Sequence, residues 1–358
     1  MNYEIKLKIM QGEQDHFKRI IALLGFPIRH TMQSCSVNLD VGTKIHGPIL
    51  NRELSKCKYY YRESKKILHF TSLKALNSMI NEKSIRMYNL HNSSDKEEYT
   101  FIGNTIRPVY LHQGYDDNFI NEKIDYLKDN FFILSTTSEP ELENPKFWKE
   151  YGDNGKGVVI EFEILSDPIS WDGFHFSKVF YGKPDNWTIF LEHTLKICEQ
   201  NPRNRYDFSF DMLFCLHKSP QQTYIDEKEI RILAQRPEMN GFVFDALVID
   251  DVGKDGLTPV KFLKLPLFAE EGYKLSFCNQ IRQLNSSIQH GFTFFEDDFA
   301  NYFDRSPKIK ISNVYVCQNF PLTGEKYVEF ADSFSDFVYN KLGYSFEIKR
   351  IKFELACH

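Results

Sequence analysis

Thr223-Tyr224-Ile225-Asp226-Glu227-Lys228-Glu229-Ile230-Arg231-Ile232-Leu233 sets two glutamates two positions apart at the head of an apolar run. From Glu229 to Ile232 charged and apolar residues alternate, which is the period of an extended strand. Read as a strand, Glu227, Glu229 and Arg231 share one face, and Ile230 and Ile232 share the other. The two carboxylates would then stand about 7 Å apart on a stiff support, able to hold a cationic or electron-poor group. A sheet edge with a solvated charged face has the same pattern, so the segment has to be weighed with others.

Three further segments belong with it. Ile67-Leu68-His69-Phe70-Thr71-Ser72-Leu73 reads as a short strand entering a helix. Thr71 or Ser72 serves as N-cap, and Leu73, Leu76, Met79 and Ile80 form the apolar stripe. His69 thus falls at a strand end beside a helix N-terminus, where binding groups are common. Phe131-Phe132-Ile133-Leu134 is a buried strand running into Ser135-Thr136-Thr137-Ser138, four consecutive hydroxyl residues. Phe147-Trp148-Lys149-Glu150-Tyr151 is an aromatic helix. It ends in the glycine turn Gly152-Asp153-Asn154-Gly155-Lys156-Gly157, and a strand alternating Val158, Ile160 and Phe162 follows. Because that turn precedes a strand and not a helix, it is no phosphate loop.

In order and spacing these segments resemble the bacterial family known as domain of unknown function 2971. Its members carry an H-[YF]-T-S segment, a C-F-S-like strand, a W-x-x-Y-[AG]-x-x-x-x-G segment and a K-S…E-x-E-x-R segment. Here these correspond to His69-Phe70-Thr71-Ser72, Leu134-Ser135-Thr136, Trp148 through Gly157, and Lys218-Ser219 through Arg231. A late strand, Ile311 to Asn319, continues the likeness. This chain departs from the pattern with Cys317 in place of a glycine and Ile230 in place of a tryptophan. The family in turn resembles a remote branch of the ADP-ribosyltransferase fold. That resemblance implies an α+β protein with a split, mostly antiparallel sheet and flanking helices, and NAD as substrate with no metal.

What the resemblance implies for residues is specific. Glu229, the second glutamate of the pair, would stabilise the positive charge that builds on the ribose as nicotinamide leaves. Glu227 would orient or deprotonate the acceptor. His69 would hold a ribose, with Thr71, Ser135, Thr136, Thr137, Tyr151 and Arg231 completing the cofactor-binding set. Each has a plainer reading: a histidine satisfied by backbone, a strand end capping the next helix, an aromatic pair that is core. The implied activity is mono-ADP-ribosylation of RNA, DNA or protein in a bacterial toxin or phage-defence system with an antitoxin or defence partner. The alternatives are a binding or phage-sensing module on the same fold, and an NAD glycohydrolase.

Composition is that of a folded protein: 358 residues, 42% hydrophobic, 26% charged, net charge −5, with 32 phenylalanines. The seven cysteines are scattered without a C-x-x-C pair, and the eleven histidines show no ligand spacing, so neither a zinc site nor a disulfide framework is expected. No signal peptide or membrane-length apolar run is evident, which fits a cytoplasmic protein without membrane contact. The acidic balance disfavours a surface that coats nucleic acid.

Residues 1–65 read as an N-terminal extension, and 66–358 as the ADP-ribosyltransferase-like domain with an insertion near 237–302. Within the extension, His16 to Leu24 has helical spacing. Lys56 to Arg62 interleaves basic and aromatic residues, as an amphipathic strand or a nucleic-acid contact would. Lys183 to Pro220 is expected to be helical with Ile189, Leu191, Leu195, Ile197 and Cys198 inward. Phe242 to Ile249 reads as a buried strand. Thr323 to Leu342 reads as a helix stopped by Gly343, and Phe346 to Leu355 as a last strand.

Overall fold

The computed structural model describes residues 51–92, 100–200, 205–209, 211–220, 226–236, 244–245, 247–253, 256–267 and 304–351. It also describes the strands at 29–34 and 41–46 and a few positions between 19 and 25. The helix expected over His16 to Leu24 and most of the expected insertion lie outside the described residues. The chain forms two compact units, each built from separated segments: residues 1–60, 93–130 and 177–226 in one, and 61–92, 131–176 and 227–358 in the other.

The first unit contains a three-stranded sheet, in which Arg29–Ser34 pairs antiparallel with Val41–His46, and the latter pairs parallel with Arg205–Ser209. Its longer helices are Thr100–His112, Asp117–Asn130 and Trp187–Gln200. Asp117–Asn130 buries Ile120, Ile124 and Leu127, one turn apart along a single stripe. Trp187–Gln200 buries Trp187, Phe190, Thr194, Ile197 and Cys198. Ile189, expected inward, is on the exposed face, because Trp187 and Phe190 fix the stripe one position away. The segment around Lys56 to Arg62 is a turn ending in the Tyr60–Ser177 bridge, not a strand. Its aromatic residues Tyr59 and Tyr61 are buried, so they are not a stacking surface.

Tyr59 belongs to a closed polar contact. The Tyr59 hydroxyl lies 2.9 Å from His217 Nε2, and His217 Nδ1 lies 2.7 Å from the Gly182 carbonyl. A carbonyl only accepts, so Nδ1 carries the proton and Nε2 accepts from Tyr59. Burial penalises the charged imidazolium and holds the His217 pKa down to about 4.

The second unit is a mixed α and β assembly with mostly antiparallel strands. One sheet has six strands in the order Val248–Val252, Pro259–Pro266, Ser84–Asn89, Phe131–Thr136, Ile230–Gln235, Phe174–Lys178. The other has four, in the order Glu347–Arg350, Ile309–Val316, Val158–Ile164, Lys66–Thr71. In the second sheet Glu347–Arg350 pairs parallel with Ile309–Val316, and the remaining pairs are antiparallel. Alternate residues of both sheets, among them Ile67, Ile160, Phe162, Leu134, Ile230 and Ile232, meet in one apolar core.

Two helices close that core. Leu73–Glu82 contributes Leu76 and Ile80, and its N-cap is Ser72, whose hydroxyl accepts from the Ala75 amide at 3.1 Å. Gly324–Leu342 contributes Phe334, Val338 and Leu342, and stops at Gly343 with φ 78°. The segment expected as a buried strand over Phe242 to Ile249 divides instead. Phe244 and Asp245 are helical, and the strand begins at Val248 on the sheet edge. Among the described residues, no helix is long and apolar enough to cross a membrane.

Isolated bridges join the two sheets, Leu267 with Ile309 at one point and Leu68 with Thr137 at another. Leu68 and Thr137 form an isolated antiparallel bridge, each amide bonded to the other's carbonyl at 2.9 Å. From that seam the His69 strand runs into the four-stranded sheet and the hydroxyl strand into the six-stranded one.

Candidate functional site

The seam collects most of the residues singled out from sequence. On the core side stand His69 and Thr136. His69 shares its strand face with Ile67, and its ring lies 6.3 Å from that of Phe162 in the core. Its Nδ1 is 2.9 Å from the Ser135 carbonyl, which makes Nδ1 the donor. Thr136 is buried and its hydroxyl donates to the Ile230 carbonyl at 2.8 Å. Thr71 ends the His69 strand.

The opposite side carries the charges. Arg231 alternates with Ile230 and Ile232 and so faces away from the core, as does Ser135, its partner in the ladder. The expected strand through Glu227, Glu229 and Arg231 begins only at Ile230. Glu227 lies in a turn, and Lys228 has φ 44°, a left-handed conformation that breaks the alternation. The Lys228 side chain reaches Glu141 at 2.7 Å.

Glu229 nevertheless meets Arg231. Nε donates to Oε1 at 2.7 Å and Nη2 to Oε2 at 3.0 Å, a two-pronged pair with Arg231 1% and Glu229 7% exposed. Such a pair fixes the carboxylate in place and balances its charge. His69 and Glu229 therefore stand on opposite faces; His69 bonds the Ser135 carbonyl, and Arg231, which holds Glu229, pairs with Ser135 in the ladder.

Glu227 has a different setting. It is half-buried, its carbonyl accepts from the Thr137 hydroxyl at 3.3 Å, and its Oε1 accepts from the Tyr151 hydroxyl at 2.5 Å. Tyr151 is 44% exposed and caps the helix Pro145–Glu150. Trp148, its neighbour at helical spacing, is core: it is fully buried and donates Nε1 to the Leu142 carbonyl at 2.7 Å.

The glycine turn explains how Tyr151 is held. Asp153, Asn154 and Gly155 all have positive φ, at 51°, 54° and 80°, so the chain makes a left-handed turn. Each non-glycine residue there carries roughly 1–2 kcal/mol of strain. A Cβ on Gly157 would sit 2.3 Å from the Thr71 carbonyl, and one on Gly152 would sit 2.9 Å from that of Trp148. The glycines therefore let the Tyr151 turn lie flat against the end of the His69 strand.

Sequence reasoning missed one cluster. Glu161, on the Val158–Ile164 strand, is 1% exposed. It accepts from Ser312 at 2.5 Å, Asn313 at 2.8 Å, Tyr315 at 2.9 Å and Lys66 at 3.0 Å. A bulge between Ile311 and Asn313 turns Ser312 toward it. Burial would raise the Glu161 pKa, but these four bonds outweigh it and bring it down to about 2. The signal available in the sequence was a single charge inside the apolar run Val158 to Phe162. Every Glu161 bond is spent on the protein itself, so the cluster joins three strands and is not a ligand site.

Among the described residues, no three His, Cys, Asp or Glu side chains gather where they could hold a metal ion. No protein-family model, curated protein or solved structure matches this chain.

Proposed function

We propose that the chain is an ADP-ribosyltransferase-like enzyme that breaks the nicotinamide–ribose bond of NAD and passes ADP-ribose to a macromolecular acceptor. The observation that carries the reading is the pair of carboxylates at the mouth of the Ile230–Gln235 strand, beside the seam where two sheets part. Glu229 is held in a fixed position by the two-pronged bond from Arg231, as a carboxylate set to meet a developing positive charge would be. Glu227 is more open and sits against a phenol, as a group that handles an acceptor proton would. Ser135 is exposed and fits a ribose or amide contact, while Thr137 is buried and supports the Glu227 turn through its hydroxyl.

His69 takes a role other than the ribose ligand that the resemblance implies. Facing the core and bonded to the Ser135 carbonyl, it holds the hydroxyl strand at the seam. The acceptor would be RNA, DNA or protein, and the setting a toxin or phage-defence system with its own partner.

The test is nicotinamide release from NAD, with and without cell lysate, followed by nuclease or protease digestion of the labelled product. Glu229→Gln removes the charge but keeps the shape. Turnover is expected to fall by roughly 10²-fold or more, the scale for losing one electrostatic stabiliser, with NAD affinity little changed. A folded Glu229→Gln variant with full turnover would end the assignment. The Arg231 clamp itself favours a second reading, a binding module on the same fold, since a neutralised carboxylate stabilises a cation less. NAD binding by calorimetry without nicotinamide release under any condition would select that module.

A further inference from the structure

Tyr151 and Glu227 form a contact that sets a phenol beside the carboxylate proposed to take the acceptor's proton. The phenol is 44% exposed and donates to Glu227 Oε1 at 2.5 Å. The backbone that carries this carboxylate is anchored, since the Glu227 carbonyl accepts from the Thr137 hydroxyl. The Tyr151 ring lies 5.8 Å from that of Phe147, and its backbone is anchored too. It follows a helix capped by Asn144, whose side chain accepts from the Lys146 amide, and it precedes the left-handed turn at Asp153–Gly155. A hydroxyl with a carboxylate base at hydrogen-bond distance is the arrangement of an activated oxygen nucleophile. Glu229, the residue given the ribose, lies two positions along the chain from that base.

We infer that Tyr151 is itself an acceptor, and that the protein attaches one ADP-ribosyl group to this residue. The inference rests on the NAD-cleaving reading above. In the step, the bond between ribose C1′ and the nicotinamide nitrogen breaks, and its electron pair leaves with neutral nicotinamide. The Tyr151 oxygen forms the new bond to C1′. Its proton passes to Glu227 and from there to water. The product is an aryl O-glycoside. It differs chemically from an ester on a carboxylate, which hydroxylamine cleaves. Once formed, it takes the phenol away from Glu227 and leaves a bulky dianionic group where the macromolecular acceptor would enter, so the modification lowers transfer to other acceptors.

The experiment incubates the purified full chain with NAD. Nicotinamide release is followed by chromatography, and intact mass and peptide maps are recorded on the same samples. The expected result is one ADP-ribosyl increment per chain, mapped to Tyr151 and resistant to hydroxylamine. Tyr151→Phe should lose the increment while keeping its thermal unfolding curve, since the removed hydroxyl is exposed. Glu227→Gln should slow labelling by about 10²-fold or more. Nicotinamide release by wild type with no increment on Tyr151, or with a hydroxylamine-labile increment on Glu227, overturns the inference and leaves the NAD reading intact. No nicotinamide release and no NAD-induced thermal shift overturns both.

Discussion

Removing the guanidinium from Arg231, as in Arg231→Met, takes two charge-assisted donors from the Glu229 carboxylate in a place that is 7% exposed. The two bonds are at 2.7 and 3.0 Å, and both are charge-assisted. Each such bond contributes about 1.5–3 kcal/mol. Breaking a buried pair from one side costs about 3–5 kcal/mol, because the remaining charge is stranded. The double variant Glu229→Leu/Arg231→Met removes both charges and should recover most of that loss, since apolar replacement of a buried pair is often near neutral. The coupling between the two sites should therefore exceed ~2 kcal/mol. The assay is urea unfolding at neutral pH, followed by tryptophan fluorescence. Trp148 and Trp171 are buried in the same compact unit as the pair and report its unfolding. Arg231→Lys tests geometry: it keeps the charge, loses the fork, and should recover only part of the loss. If Arg231→Met costs under ~1 kcal/mol, the value of a solvated surface pair, the clamp is not dry and the reasoning fails.

Acid should find Glu161. Its folded pKa is lowered from 4.5 to about 2, so its contribution is full above 4.5 and is lost as pH falls toward 2. Urea midpoints of wild type should fall through that window, and Glu161→Gln should flatten the profile there; parallel profiles would refute the assignment. Gly157→Ala should destabilise by about 1–3 kcal/mol or more, since its Cβ would meet the Thr71 carbonyl at 2.3 Å. A neutral melting temperature would show that the turn can move away. Tyr59→Phe leaves the His217 Nε2 acceptor buried without its donor and should cost about 1–3 kcal/mol, measured by thermal unfolding.

Period and punctuation made much of this fold readable. Ile67 to Phe70 reads as a short strand into a helix, Phe131 to Leu134 as an apolar run ending in hydroxyls, and Val158, Ile160 and Phe162 as alternation, and the structure makes strands of all three. Ser72 and Gly343 cap their helices as their chemistry demands. The pair of glutamates misled because alternation in letters does not reveal a left-handed residue. Lys228 at φ 44° has no β-branch to forbid that conformation and no glycine to announce it. The Arg231 clamp was partly legible, since residues two apart on a strand share a face. That Arg231 binds Glu229 and not a ligand depends on burial, which the segment does not encode. The Glu161 network was hidden for another reason: its donors come from Lys66 and from Ser312 to Tyr315, far apart in the chain.

The alternation of segments between the two compact units has a consequence for how the protein is made. The chain passes from one unit to the other after residues 60, 92, 130, 176 and 226, so neither unit is a contiguous stretch of message. The His69 strand pairs with Val158–Ile164, with Lys66 opposite Glu163. At ~5–20 residues per second, roughly 5–20 s of synthesis separate the two partners. During that time Ile67, Leu68 and Phe70 have no sheet to join and present an apolar strand edge to whatever else is nearby. Slower translation lengthens that exposure. Yield of folded protein should thus depend on temperature and on holdase chaperones more steeply than for a chain of equal length whose domains follow one another along the message.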